Sequence, residues 1–384
     1  MRNAEIDRAL DEACAAGRVA GAVAMAVRGE EVIYDGAFGR RSVADAAPMT
    51  RDTVFWIASM TKAITGVAAM QMVEQGRLAL DAPIGRVLPR LAEPKVLDGF
   101  DAAGKPRLRP AKRAITLRQL LTHTSGFCYN TWNADLARYM QATGLQPLGS
   151  GLKSSLDAPL MFDPGTRWEY GIGIDWAGQA VEAVSGLDLD AYCRQHIFAP
   201  LGMADTGFLP GASQRARLAA THQRQADGGL KPTDLPMAEK PEFFMGGGGM
   251  YSTAADYMRF LRMLLAGGGR LLRPETVKLM AQNHIGELNV EWLRTTLPDR
   301  SLDANFYPDQ PQKWGLTFLI NTRPTAEGRS AGSLAWAGLR NTFFWLDPAR
   351  RVAGVILMQV LPFIDPACMD LFRAFERGVY RAIR

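Results

Sequence analysis

The sequence predicts an α+β fold: one antiparallel sheet flanked by helices, with a mainly helical insertion beside it. Three observations predict it. Strand-like segments stand at both ends of the chain and need partners, which each end can supply to the other. The middle reads as helices joined by long loops. The 384 residues suffice for one large domain or two intimate ones around a sizeable core. Residues 1–77 and 236–384 are assigned to the sheet part and 78–235 to the helical part.

The elements follow in chain order. Ile6, Ala9, Leu10, Ala13 and Cys14 recur at helical spacing, which predicts an amphipathic helix over 3–17. Val19–Val27 and Glu31–Gly36 read as a hairpin turned by Arg28-Gly29-Glu30. The apolar run Phe55-Trp56-Ile57-Ala58 leads into a helix from Ser59 to Glu74, closed by Gly76. In the middle, Leu117–Leu121, Ile174–Val184 and Leu189–Phe198 are helices. Beyond the glycine run Gly246–Gly249, a helix over Thr253–Leu265 is capped by Ser252 or Thr253. Trp314–Ile320, Ser333–Ala337, Thr342–Leu346 and Val352–Met358 are strands, and Asp365–Ile383 is a closing helix.

Composition excludes several function classes. The net charge of +5 comes from scattered arginines, with no basic stripe bearing interleaved aromatics, so no nucleic-acid partner is expected. No segment reaches the length of a membrane span. The polar start Met1–Cys14 is unlike a secretory leader, so a cytoplasmic protein is expected. Cys14, Cys128, Cys193 and Cys368 form no C-x-x-C pair and read as free thiols. His123, His196, His222 and His284 are too dispersed for a zinc site, and no metal or organic cofactor is implied. The oligomeric state is left open.

Ser-x-x-Lys occurs twice, at Ser59/Lys62 and Ser150/Lys153. Ser150 lies in a glycine-rich loop, where nothing fixes serine against lysine. Ser59 opens a helix, where positions i and i+3 are neighbours. The helix N-terminus adds unpaired N–H groups and a positive field, which favour an oxyanion and a neutral amine. The alternative is that Ser59 merely caps the helix and Lys62 is solvated. Tyr170, at the end of the turn-rich Asp163–Glu169, is a candidate proton shuttle or a packing residue. Ala335-Trp336-Ala337-Gly338-Leu339 is a strand whose small residues permit close backbone approach, either as an edge supplying an oxyanion N–H or as ordinary sheet. Gly328-Arg329-Ser330-Ala331-Gly332 fits G-x-S-x-G but lacks the strand-before, helix-after context and is read as a coincidental loop.

Together these segments resemble the family of serine β-lactamases and penicillin-binding proteins over nearly the whole chain, with the strongest likeness to class C β-lactamases and family VIII carboxylesterases. Ser59-Met60-Thr61-Lys62 resembles the family's S-x-x-K, and Leu120–Gly126 is a frequent family segment. Tyr170-Gly171-Ile172 falls where the family has Y-x-N, and Gly246–Gly249 followed by Ser252–Asp256 is also typical. Trp336-Ala337-Gly338 falls where lactamases carry K-T-G and the esterases W-x-G.

The resemblance implies an active site between the two parts, with Ser59 as nucleophile and Lys62 and Tyr170 as general acid and base. The backbone N–H groups of Ser59 and Leu339 would form the oxyanion hole. Ile172 and Trp336 stand where lactamases place the asparagine that holds the substrate amide and the lysine that attracts a carboxylate. Their presence points away from β-lactams and toward neutral short-chain esters, hydrolysed through an acyl-enzyme. Related enzymes on this scaffold would be β-lactamases, D-amino-acid peptidases or acyltransferases, and a silent binding protein is the remaining alternative. Trp336, Gly338, Phe127 and Tyr129 are expected around the substrate, with Trp132, Phe243 and Phe244 as further wall residues, and Arg340 as a nearby cation.

Overall fold

The structure, a computed structural model, describes residues 3–233 and 237–384. Its centre is a seven-stranded sheet in the order Glu31–Gly39, Gly21–Arg28, Val352–Leu357, Thr342–Asp347, Leu334–Gly338, Leu319–Asn321 and Gln312–Trp314. Every neighbouring pair is antiparallel. The two ends of the chain meet where Val23 pairs with Leu357 and Arg28 with Val352, as the strand inventory required.

Strands 334–338, 342–347 and 352–357 are buried at every position rather than at alternate ones, so both faces are covered. Successive residues on a strand point to opposite faces. Phe343 stacks on Phe372 of the closing helix Pro366–Ala382 at 4.4 Å. Phe344 meets Tyr257 of the helix Ala254–Leu265 at 5.3 Å. Ala4–Ala15 packs on the closing helix. Asp365 and Thr253 cap their helices by accepting the N–H groups of Cys368 and Asp256.

The helix Thr61–Glu74 is buried from Thr61 to Met72. Such all-round burial suits its apolar, alanine-rich sequence. It packs on Gly173–Ser185, whose left-handed Gly186 ends that helix.

Several expectations need correction. Trp314–Ile320 is two strands, Gln312–Trp314 and Leu319–Asn321, with a tight turn between them in which Thr317 has φ 80°. Leu189–Phe198 runs on through a wider π turn to Leu201. The middle region also holds the hairpins Lys95–Phe100 with Pro106–Pro110 and His222–Arg224 with Leu230–Pro232. A further helix, Ala134–Thr143, lies between the Asn133 cap and left-handed Gly144. The boundary drawn between 235 and 236 lies outside the described residues.

Candidate active site

Ser59 sits on a sharp turn and not at the first residue of an α-helix. Ala58 adopts φ 45°, uncommon for a residue with a Cβ. A single 3₁₀ turn over Ala58–Met60 then feeds the α-helix at Thr61. The short pairing of Phe55–Trp56 with Tyr251–Ser252 anchors this turn. Ile57 N–H donates to the Met250 carbonyl at 3.0 Å, and Trp56 Nε1 to that of Gly248 at 2.7 Å. The glycine run is thereby drawn alongside Ser59.

Lys62, one turn on, is fully buried. Its Nζ lies 3.1 Å from Ser59 Oγ, 3.0 Å from Tyr129 Oη and 2.5 Å from the Gly247 carbonyl oxygen. Among the described residues it forms no ion pair with a carboxylate within 4 Å. Burial pulls its pKa down from 10.5 to about 7, and the field of Asp175 acts in the opposite sense.

Asp175, in the first turn of Gly173–Ser185, is itself buried. One of its oxygens accepts the Gly247 N–H at 2.9 Å, and hydrogen bonding from Tyr129 favours its charged form. Burial raises its pKa. Gly247 must lack a side chain: a Cβ there would strike the Asp175 carboxylate and lie 2.9 Å from Tyr129 Oη.

Tyr170 is 2% exposed, with its ring 4.7 Å from Lys62 Nζ. Its hydroxyl accepts from Trp336 Nε1 at 3.0 Å. Burial pushes the phenol well above its ordinary value, while hydrogen bonds to Ser59 and Trp336 act the other way. His123, at φ 58°, lies 4.6 Å from the Tyr170 ring. Its Nδ1 accepts the Gly171 N–H at 3.3 Å, and burial keeps the imidazole neutral.

A cleft of about 680 Å³ opens over Ser59, and Leu339, Tyr129, Trp132 and Ile172 line it. The Leu339 N–H donates to no other backbone group among the described residues. Gly338 brings its strand against the Ser59 turn: a Cβ there would collide with the Ile57 carbonyl.

Four expected wall residues lie elsewhere. Phe127 is in the core, stacked on Trp176 at 6.1 Å. Trp336 is buried behind Tyr170, edge-on to Trp314 at 4.6 Å. Phe243 and Phe244 line an adjoining hollow with Leu218 and Pro210. The Ser150/Lys153 pair is not joined: Ser150 Oγ accepts the Leu152 N–H, although Ser150 does border the cleft. Ser330 belongs to a turn whose N–H is held by Asp347.

The sequence reading missed Asp175, the Tyr129–Lys62 contact, Arg300 in the cleft wall and the helix 134–143, whose Leu136 and Met140 form the apolar side. Only that helix carried a local signal, its caps Asn133 and Gly144.

Comparison with known proteins agrees with this architecture. The family profile described as Beta-lactamase matches residues 6–378. Monacolin J acid methylbutanoyltransferase of Aspergillus terreus is 37% identical over 366 residues, 90% of this chain and 88% of that protein. Lovastatin esterase of Penicillium rubens is 32% identical over 392 residues, 98% of each chain. The solved structure of simvastatin synthase from Aspergillus terreus, LovD6 mutant, superposes with a TM-score of 0.87 at 34% identity, covering 98% of this chain and 96% of that one. The chain belongs to the Beta-lactamase family, as an enzyme of its serine hydrolase and acyltransferase branch.

Proposed function

We propose that the protein is a carboxylic-ester hydrolase that works through an acyl-enzyme on Ser59. The observation that carries this reading is the buried Lys62 amine, 3.1 Å from Ser59 Oγ, without a carboxylate ion pair and with its pKa lowered to about 7. A neutral amine at that position accepts the Ser59 proton as Oγ attacks the ester carbonyl. The oxyanion is received by the Ser59 and Leu339 N–H groups. Tyr170, kept protonated, passes a proton to the departing alcohol. Water, losing its proton to the same pair, then releases the acid and regenerates Ser59. The identity with lovastatin esterase supports this reading. The identity with the methylbutanoyltransferase favours a second one, in which an alcohol replaces water as acceptor.

Turnover of para-nitrophenyl acetate, butyrate and palmitate, with nitrocefin as the β-lactam and with and without an added alcohol, tests both. Acetate or butyrate is expected to be the best substrate, and Ser59→Ala to be inactive. A preference for palmitate, or nitrocefin turnover equal to that of the best ester, contradicts the reading. Product ester formed in place of acid identifies the transferase.

A further inference from the structure

The cleft over Ser59 has a neighbour. A second hollow of about 690 Å³ adjoins it, lined by Phe208, Leu218, Phe243, Phe244 and Tyr251 together with the exposed Leu209. Within it the rings of Phe208 and Phe244 pack at 5.1 Å. Met237, Ala238 and Met245 line both spaces, so these three side chains stand between them.

Met245 is held in place by its backbone. Its carbonyl accepts the N–H groups of Gly248 and Gly249 at 3.0 and 2.8 Å, which closes a tight turn over the glycine run. A Cβ at Gly248 would lie 3.9 Å from the Met245 methyl carbon and 3.9 Å from the carbonyl carbon of Ala58. The thioether therefore ends beside the Ser59 turn. Methionine is unbranched and fills irregular gaps, and here the gap it fills joins two spaces that already exist.

We propose that the acyl chain, directed away from the alcohol at Tyr170, runs past Gly248 and ends against Met245, so that this side chain sets the limit to short acyl groups. The hollow behind it receives a longer tail once the thioether is removed. This assignment deepens the ester-hydrolase reading and rests on it.

The test compares kcat/KM for para-nitrophenyl butyrate and octanoate. The parent protein is expected to prefer butyrate. Met245→Ala should raise the octanoate-to-butyrate ratio about tenfold or more, chiefly through KM, because each buried methylene multiplies affinity roughly fourfold. Adding Leu209→Trp, at an exposed position in the hollow, should remove most of that gain. Met237→Ala, in the same partition, should give a smaller rise and serves if Met245→Ala fails to fold. A binding arm needs no turnover. Tryptophan fluorescence of the Ser59→Ala protein, with Trp56 and Trp132 in the cleft, is titrated with methyl butanoate and methyl octanoate, and adding Met245→Ala should tighten methyl octanoate selectively. A parent that prefers octanoate overturns the proposal. So does an unchanged ratio in the folded partition variant, or a gain that Leu209→Trp leaves intact. Selective tightening of methyl octanoate in a protein that turns over no ester supports the partition and refutes the hydrolase reading instead.

Discussion

Lys62 is an amine placed where a charge is expensive, and its chemistry follows from that position. With the native pKa near 7 and the unfolded value near 10.5, the folded protein releases this proton as pH rises through 7, while the unfolded chain retains it to about 10.5. The unfolded state therefore binds more protons between these limits, and this group's contribution to stability improves with rising pH across the window. A rise in rate there is not caused by unfolding. We predict that kcat/KM for a neutral ester increases with a single apparent titration near pH 7 and then levels off, because Tyr170 stays protonated. A flat profile from about pH 6 to 9, or a decline above 7, contradicts Lys62 as the base. At this scale the Ser59/Lys62 pair was legible because one helical turn links the two residues in sequence. Asp175 and Arg300 were not, because only the tertiary fold brings them to the Gly247 backbone and the cleft wall.

The strand Leu334–Gly338 and the turn at Ala58–Met60 form the hinge of the site. Gly338 admits the Ile57 carbonyl against the strand, and Leu339 follows at once. Gly338→Ala should push strand and turn apart, lowering kcat about 10²-fold or more by displacing an oxyanion donor and lowering Tm as well. Full activity in Gly338→Ala would show that the two N–H groups do not act together. Local patterns reached most elements: the Thr253 and Asp365 caps and Gly186 set helix ends close to where they were read. The Trp314–Ile320 segment misled because it is apolar but for Thr317, and apolarity does not reveal that Gly315–Phe318 reverse the chain between two strands. Trp336 misled differently. Its place where lactamases carry a lysine suggested a cleft wall, yet its Nε1 finds Tyr170 and its ring finds Trp314.

At the scale of the molecule, the N-terminal hairpin and the last strand close one sheet, and the closing helix seals it. The Arg329–Glu376 pair ties that helix to the loop before Leu334, with side chains 2% and 3% exposed. G-x-S-x-G is thus a structural loop in which the arginine, rather than the serine, has the work. Arg329→Met should destabilise by about 3–5 kcal/mol because Glu376 is left buried and unpaired. Adding Glu376→Leu should recover much of that loss. Denaturation of the single and double variants checks this, and a double variant no more stable than Arg329→Met would contradict it. The sheet order was accessible from sequence only as a requirement that the two ends pair; its register was not.

In the proposed mechanism Ser59 carries the acyl group. Reaction with a fluorophosphonate followed by peptide mass mapping tests it most directly. One adduct is expected, on Ser59, lost in Ser59→Ala and unchanged in Ser150→Ala and Ser330→Ala. An adduct on Ser330 or Ser150, or no adduct on the folded protein, would contradict it.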